Sequence, residues 1–391
     1  AVLGFSAFIF SVGRWHRAGT YFQPLLQFQI MGLNGAFLTG DLFNLFVFFE
    51  VMLAASYGMA LHGSGVARVR AGLHYIVINL VASLLFLVGA SVVYGIAGTL
   101  NMADLALRMR GIAVEDRGLL ETGLVVLGIA FLTKAAMWPL GFWLPPTYAA
   151  AATPAAAILS ILSKVGIYAL LRIWLLLFGD DAGASAGFGG TWLLLGGLCT
   201  IAFGSIAVLA TQNLSRLAGA SVIVSSGTLL AAVGAGQVSV TGGALFYMAS
   251  SVLAIGAFFL LIELVERGRE VGADVLAVTR EAFGTGEDDD EPLEQEAVGV
   301  AIPGTVAILG ISFMACALLL AGLPPLSGFL AKFAILAPLL APGDEAVPGT
   351  TWALLAALIL SGLASLVAML RVGIDIFWAS PAARVPRIAV L

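Results

Sequence analysis

The chain has 391 residues, of which 60% are hydrophobic and 10% charged, with a formal net charge of −5. That composition lies outside the range of soluble globular domains and reads as that of a membrane protein. No basic patch with interleaved aromatics suggests nucleic acid, and Cys199 and Cys316, each alone in an apolar run, support no disulfide framework, metal site or iron–sulfur site.

Crossing a bilayer takes roughly 20 apolar residues in helical form. Runs of about that length predict spans at 22–40, 42–62, 72–98, 118–138, 150–178, 190–210, 217–237, 241–265, 302–321, 325–341 and 350–378. Ahead of them, Ala1 to Val12 is apolar but too short to span and lacks a basic leader, so it reads as the end of a helix and not as a signal peptide. Ile388 to Leu391 begins a further apolar run, and the sequence is read as part of a longer chain.

Two stretches carry helix breakers at membrane depth. Pro139, Pro145 and Pro146 interrupt 118–148, and Gly322, Pro324, Pro325 and Gly328 interrupt 302–341. Each is read as one crossing by a broken helix, an arrangement that resembles transporters and pumps. With those crossings counted once, the positive-inside rule groups Arg14, Arg17, Arg68, Arg70, Arg216, Arg267, Arg269, Arg280, Arg371, Arg384 and Arg387 on the cytoplasmic side. Arg108, Arg110, Arg117 and Arg172 fall opposite. The stretch Gly179 to Gly190 reads as a loop, and 266–299, with the acids between Glu281 and Glu296, as a polar acidic cytoplasmic loop. Residues 1–391 are read as a single membrane domain.

Four ionisable residues lie where a charge costs about 2.5 to 3.5 kcal/mol on insertion scales. Glu50 is eight residues into its span, about 12 Å deep at 1.5 Å per residue. Lys134 precedes the break at Pro139, Lys164 is central in 150–178, and Lys332 is central in 325–341. These are the only three lysines in the chain; every other basic position except His16, His62 and His74 is arginine. A lysine is able to surrender its proton when buried, whereas arginine stays charged. The pattern points to proton carriage, with a Glu50–lysine pair that switches.

Ser160, Lys164 and Tyr168 follow i, i+4, i+8 spacing, with Ser163 beside them, and Ser221, Ser225 and Thr228 form a second stripe. Such stripes line water or hydrogen-bond between helices. Asp41 reads as a helix start, Glu263 and Asp375 as solvated or paired groups near span ends, and Phe43, Phe46, Phe48 and Phe49 as packing.

Four stretches, in order, then carry a resemblance: Gly40-Asp-Leu-Phe-Asn-Leu-Phe-Val-Phe-Phe-Glu50-Val-Met, Lys134-Ala-Ala-Met-Trp-Pro-Leu-Gly-Phe-Trp-Leu-Pro145, Ser163-Lys164-Val-Gly-Ile-Tyr-Ala-Leu-Leu-Arg172, and Gly322-Leu-Pro-Pro-Leu-Ser-Gly-Phe-Leu-Ala-Lys332-Phe. Nearly the whole chain resembles the antiporter-like membrane subunits, and more narrowly the D-type subunits of Mrp-type multisubunit sodium/proton antiporters.

The resemblance implies an all-α, fourteen-helix fold of two inverted five-helix repeats, here 22–178 and 190–378, each with a broken helix, and some terminal helices outside this sequence. It implies that Glu50 is the carboxylate of the fifth helix, Lys134 the lysine of broken helix seven, Lys164 the relay on helix eight and Lys332 the lysine of broken helix twelve. It further implies a bacterial plasma membrane, other antiporter subunits as partners, H+ and Na+ as substrates, no cofactor, and a transporter subunit instead of an enzyme. Gly141, Pro146 and Ser250 depart from the broader pattern, which often has His, Asp and His there. Water held by Tyr247, Ser250 and Ser251 would then bridge Lys164 to Lys332. The rival readings are a proton-pumping subunit of a complex I-like quinone reductase and a scaffold whose charges only pair.

Overall fold

The computed structural model describes residues 1–13, 21–63, 65–282, 304–341 and 346–378. Regular structure among them is helical. In the first half run α1 (Val2–Val12), α2 (Phe22–Leu38), α3 (Leu42–Leu61), α4 (Val66–Ala97), the short lateral α5 (Met102–Met109), α6 (Val114–Lys134), α7 (Leu144–Ala150), α8 (Thr153–Leu159) and α9 (Leu162–Leu177). The second half has α10 (Gly190–Ala210), α11 (Leu214–Gly234), α12 (Thr241–Ala282), α13 (Gly304–Ala321), α14 (Ser327–Leu340) and α15 (Gly349–Gly373). Among the described residues, seven helical stretches are long and apolar enough to cross a membrane unaided.

Starts and stops follow local chemistry. Asp41 caps α3 by accepting the Asn44 N–H at 2.9 Å, and Asn213 caps α11 by accepting the Arg216 N–H at 3.0 Å. Both caps close three-residue linkers, Thr39 to Asp41 and Thr211 to Asn213, so α2–α3 and α10–α11 form matching hairpins of long helices.

Packing then depends on small residues, because lipid gives apolar side chains no reason to prefer protein. A Cβ on Gly227 or Gly234 of α11 would stand 2.7 Å from the Ile201 nitrogen or 2.2 Å from the Leu194 nitrogen, so α10 and α11 meet backbone to backbone. The apolar window of α11 is buried throughout, making it the central helix. By contrast α4 exposes Val77, Leu80, Val81 and Leu84 on an outer, lipid-type face.

Arginines tie the helix ends together. Arg68 donates to the carbonyls of His62 (2.5 Å) and Ala150 (2.7 Å), and Arg371 to those of Leu209 and Thr211 (2.9 Å each). At the other ends of these helices Arg172 donates to Thr39 O at 2.5 Å and Arg108 to Ala97 O at 2.9 Å. Following the crossings, the first group shares one face and the second the other.

Three expectations change. The span expected at 72–98 starts at Val66, because Arg68 and Arg70 extend the helix past the apolar run. The span expected at 150–178 is interrupted at Ser160 and Ile161, between α8 and α9. The loop assigned to 266–299 is helix as far as Ala282: Arg267 to Ala282 contains no proline and carries helix-forming Ala, Arg and Glu, so polarity ends the apolar run without ending the helix. Residues 283–299, holding most of the acids, lie outside the described residues, as do Arg14, His16, Arg17, Arg384 and Arg387. Gly179 to Gly190 contains a short 3-10 turn at Asp180–Ser185.

Candidate functional site: a buried row of charges

Glu50 on α3 and Lys134, the last residue of α6, approach each other across α4. They are linked through Ser83 of α4: its hydroxyl donates to Glu50 Oε1 at 2.5 Å and accepts from Lys134 Nζ at 3.4 Å. The direct switching pair expected from the sequence is thus a three-membered chain. Lys134 is 4% exposed and its Nζ lies 5.0 Å from the Phe49 ring centroid, a cation–π distance. Phe49 packs with Phe86 and Phe131, so the phenylalanine run supplies a wall to the charge as well as packing.

Lys164 on α9 is fully buried and donates to Ser226 Oγ at 3.1 Å and Val222 O at 3.3 Å, both on α11. Its expected companions do something else. Ser160 donates to Ala157 O at 2.7 Å and Ser163 to Ser160 O at 3.4 Å, whereas Tyr168 reaches Phe37 O on α2 and accepts from Arg172. On α11 Ser221 donates to Leu217 O and Thr228 to Val224 O, while Tyr247 of α12 comes within side-chain hydrogen-bonding reach of Thr228 and Ser225.

Lys332 on α14 donates to Ala321 O, the last carbonyl of α13, at 3.0 Å. An ammonium at a helix C-terminus is favoured by the helix dipole and satisfies a carbonyl that the break exposes. Lys134 stands in the last turn of its own half-helix, α6, where the dipole likewise favours a positive charge. The first break is satisfied further by Trp138 N–H to Thr200 Oγ1 (3.0 Å) and Trp143 Nε1–H to Thr133 O (3.2 Å). Within it, a Cβ at Gly141 would meet Ala136 O at 2.3 Å, so no histidine fits this backbone.

A cavity among α11, α12, α13, α14 and α15 is bordered by the hydroxyl residues Ser221, Ser225, Tyr247, Ser250, Ser251 and Ser365 and by apolar Val224, Ala254, Ile255, Leu319 and Leu320; Lys164 and Lys332 are not among its lining residues. Ser250 donates to Ser327 at 2.9 Å, and Ser251 to Met248 O at 3.1 Å. A second, smaller cavity borders Lys134 and is lined by Tyr75, Asn79, Trp143 and apolar residues. Both are spaces in which water could join polar groups that do not touch.

Fold and site together define a polytopic α-helical membrane protein that buries three lysines and half-buries a glutamate among its helices. Residues 39–364 match the family described as NADH:quinone oxidoreductase/Mrp antiporter, TM, and the chain belongs to that family. It is 61% identical, over its whole length and 72% of the relative, to the D-type subunit of a probable K(+)/H(+) antiporter of Rhizobium meliloti. It is 35% identical, over 95% of its length and 68% of the relative, to the D-type subunit of a Na(+)/H(+) antiporter of Alkalihalophilus pseudofirmus. Among solved structures, a chain of the Mrp complex from Dietzia superposes with a TM-score of 0.76 at 26% identity, covering 97% of this chain and 65% of that one. Respiratory complex I from Thermus thermophilus superposes at 0.65 and 22% identity, over 96% of this chain and 81% of that one, a likeness of fold. The fold is that of a multi-pass protein of the bacterial plasma membrane.

Sequence reasoning missed Ser83, Ser226 and Asn79. The signal for two of them was present: Tyr75, Asn79 and Ser83 recur at i, i+4, i+8 in an otherwise apolar span, and all three are buried. Ser226 had none, lying beside Ser225 on a helix buried on every side.

Proposed function

We propose that the chain is the proton-carrying membrane subunit of a multisubunit monovalent cation/H+ antiporter, passing H+ along Glu50, Lys134, Lys164 and Lys332. What supports it is the placement of three lysines and a carboxylate at membrane depth, each buried or half-buried and each hydrogen-bonded to hydroxyls or carbonyls. In this reading 22–178 and 190–378 are inverted repeats, consistent with their matching hairpins and opposite crossing directions. Water in the hydroxyl-lined cavity carries protons between Lys164 and Lys332, with Tyr247, Ser250 and Ser251 as its anchors. Ser160, Ser163 and Tyr168 hold the α8–α9 backbone around Lys164.

Partners are the other subunits of such a complex, and the cation is Na+ or K+: the relatives' names divide between the two. The test uses everted vesicles carrying the whole complex, in which added Na+ or K+ collapses a preformed pH gradient. Glu50→Gln, Lys134→Ala, Lys164→Ala and Lys332→Ala, made singly and assembled normally, each abolish or severely slow the collapse; unchanged exchange in all four leaves the scaffold reading. The kinship with complex I adds a second reading, coupling to quinone reduction, and exchange driven by cation alone, without a redox donor, speaks against it.

A further inference from the structure

Ser83 places a single hydroxyl against both charges of the first site. Its O–H donates to Glu50 Oε1 at 2.5 Å and its oxygen accepts from Lys134 Nζ at 3.4 Å. It is 6% exposed, held on α4 one turn beyond Asn79, whose amide is engaged with Tyr75 O at 2.9 Å. The helix that carries it has no charged group at this depth.

We propose that Ser83 is the proton relay between Lys134 and Glu50, so that the pair interconverts between its ionic and neutral forms without the two side chains meeting. In the forward step the Lys134 Nζ–H bond breaks and a bond from that proton to Ser83 Oγ forms. In concert, the original Ser83 O–H bond breaks and its proton joins Glu50 Oε1. Lysine ends as a neutral amine, the carboxylate as a carboxylic acid, and serine as the hydroxyl it began as, with the net charge unchanged. The unequal distances fit this role: the hydroxyl is anchored on the carboxylate, and the longer lysine contact is the link that tightens or opens. Neutralising both partners together also removes the cost of holding two separated charges at membrane depth.

The inference rests on the proton-carrying reading of Glu50 and Lys134. Its test measures cation-driven exchange in vesicles carrying the whole complex, with rates normalised to the assembled complex in each membrane. Ser83→Ala is expected to lower the maximal rate by about 100-fold or more, as loss of a positioned acid–base group would. The cation KM stays unchanged, because the hydroxyl acts on proton transfer and not on cation binding. Ser83→Thr, which keeps the hydroxyl, restores the rate to within about twofold. Wild-type exchange in Ser83→Ala, with Glu50→Gln and Lys134→Ala inactive, overturns the relay and leaves the proton-carrying reading standing. The same follows if Ser83→Thr and Ser83→Ala are equally slow, or if loss is confined to assembly at a normal rate per complex. Wild-type exchange in Glu50→Gln and Lys134→Ala overturns the parent reading itself.

Discussion

Lys164 and Ser226 face each other across the interface of α9 and α11, Nζ donating to Oγ at 3.1 Å, with both side chains fully buried. The central helix therefore supplies both hydrogen-bond partners seen for this lysine, Ser226 and the Val222 carbonyl.

A hydrogen bond to a charged group contributes about 1.5 to 3 kcal/mol, whereas removing both partners together is nearly neutral. Ser226→Ala should therefore lower the thermal midpoint of the detergent-solubilised complex, and Lys164→Met with Ser226→Ala should recover most of it. Equal midpoints for wild type and Ser226→Ala would refute the pairing.

The hydroxyl-lined cavity offers a separate test. Ser250→Val removes the bond to Ser327 and adds apolar volume to a hydroxyl-lined wall. Exchange should fall by roughly 100-fold or more, as a lost proton-transfer step would require, with Ser250→Thr close to wild type. A Ser250→Val complex that exchanges normally excludes a water route through this cavity.

Backbone contact between α10 and α11 leaves no room for side chains at Gly234. Gly234→Val should sharply reduce the amount of protein recovered in membranes, overpacking of this kind costing about 1 to 3 kcal/mol or more. Gly242→Ala, where a new Cβ meets nothing within 4 Å, is the control and should be recovered normally.

Asp104 and Arg108 form an exposed ion pair at 2.9 Å on the lateral helix α5, and the Arg108 hydrogen bond holds the Asp104 carboxyl below its ordinary range. A depressed carboxylate contributes stability above its unfolded value and loses it as pH falls through the folded one. The small difference in midpoint between wild type and Asp104→Asn should accordingly be present at neutral pH and vanish in acid; a difference that grows in acid contradicts the pairing. Solvent screening keeps the effect small.

Much of this architecture was legible because a bilayer demands so much of a sequence. Apolar length placed most crossings to within a few residues, Pro139 and the Gly322 to Gly328 cluster marked both breaks, and the scarcity of lysine exposed the buried charges. What stayed hidden were partners chosen by packing. Ser83 is an ordinary serine until α3 and α6 close around it, and the i, i+4 geometry of Ser160 and Lys164 says nothing of a break at Ile161 that sends the two hydroxyl and ammonium groups apart. The helical length of Thr241–Ala282 was misjudged for a related reason: hydropathy registers where lipid stops, not where hydrogen bonding does.

The ammonium of Lys332 is fastened to the last carbonyl of α13. A charged donor binds a carbonyl about twice as strongly as a neutral one, so under the proposed proton-carrying function each proton that leaves this lysine would also slacken the latch on a half-helix. Under that reading, electrical state and mechanical state are one variable at that joint.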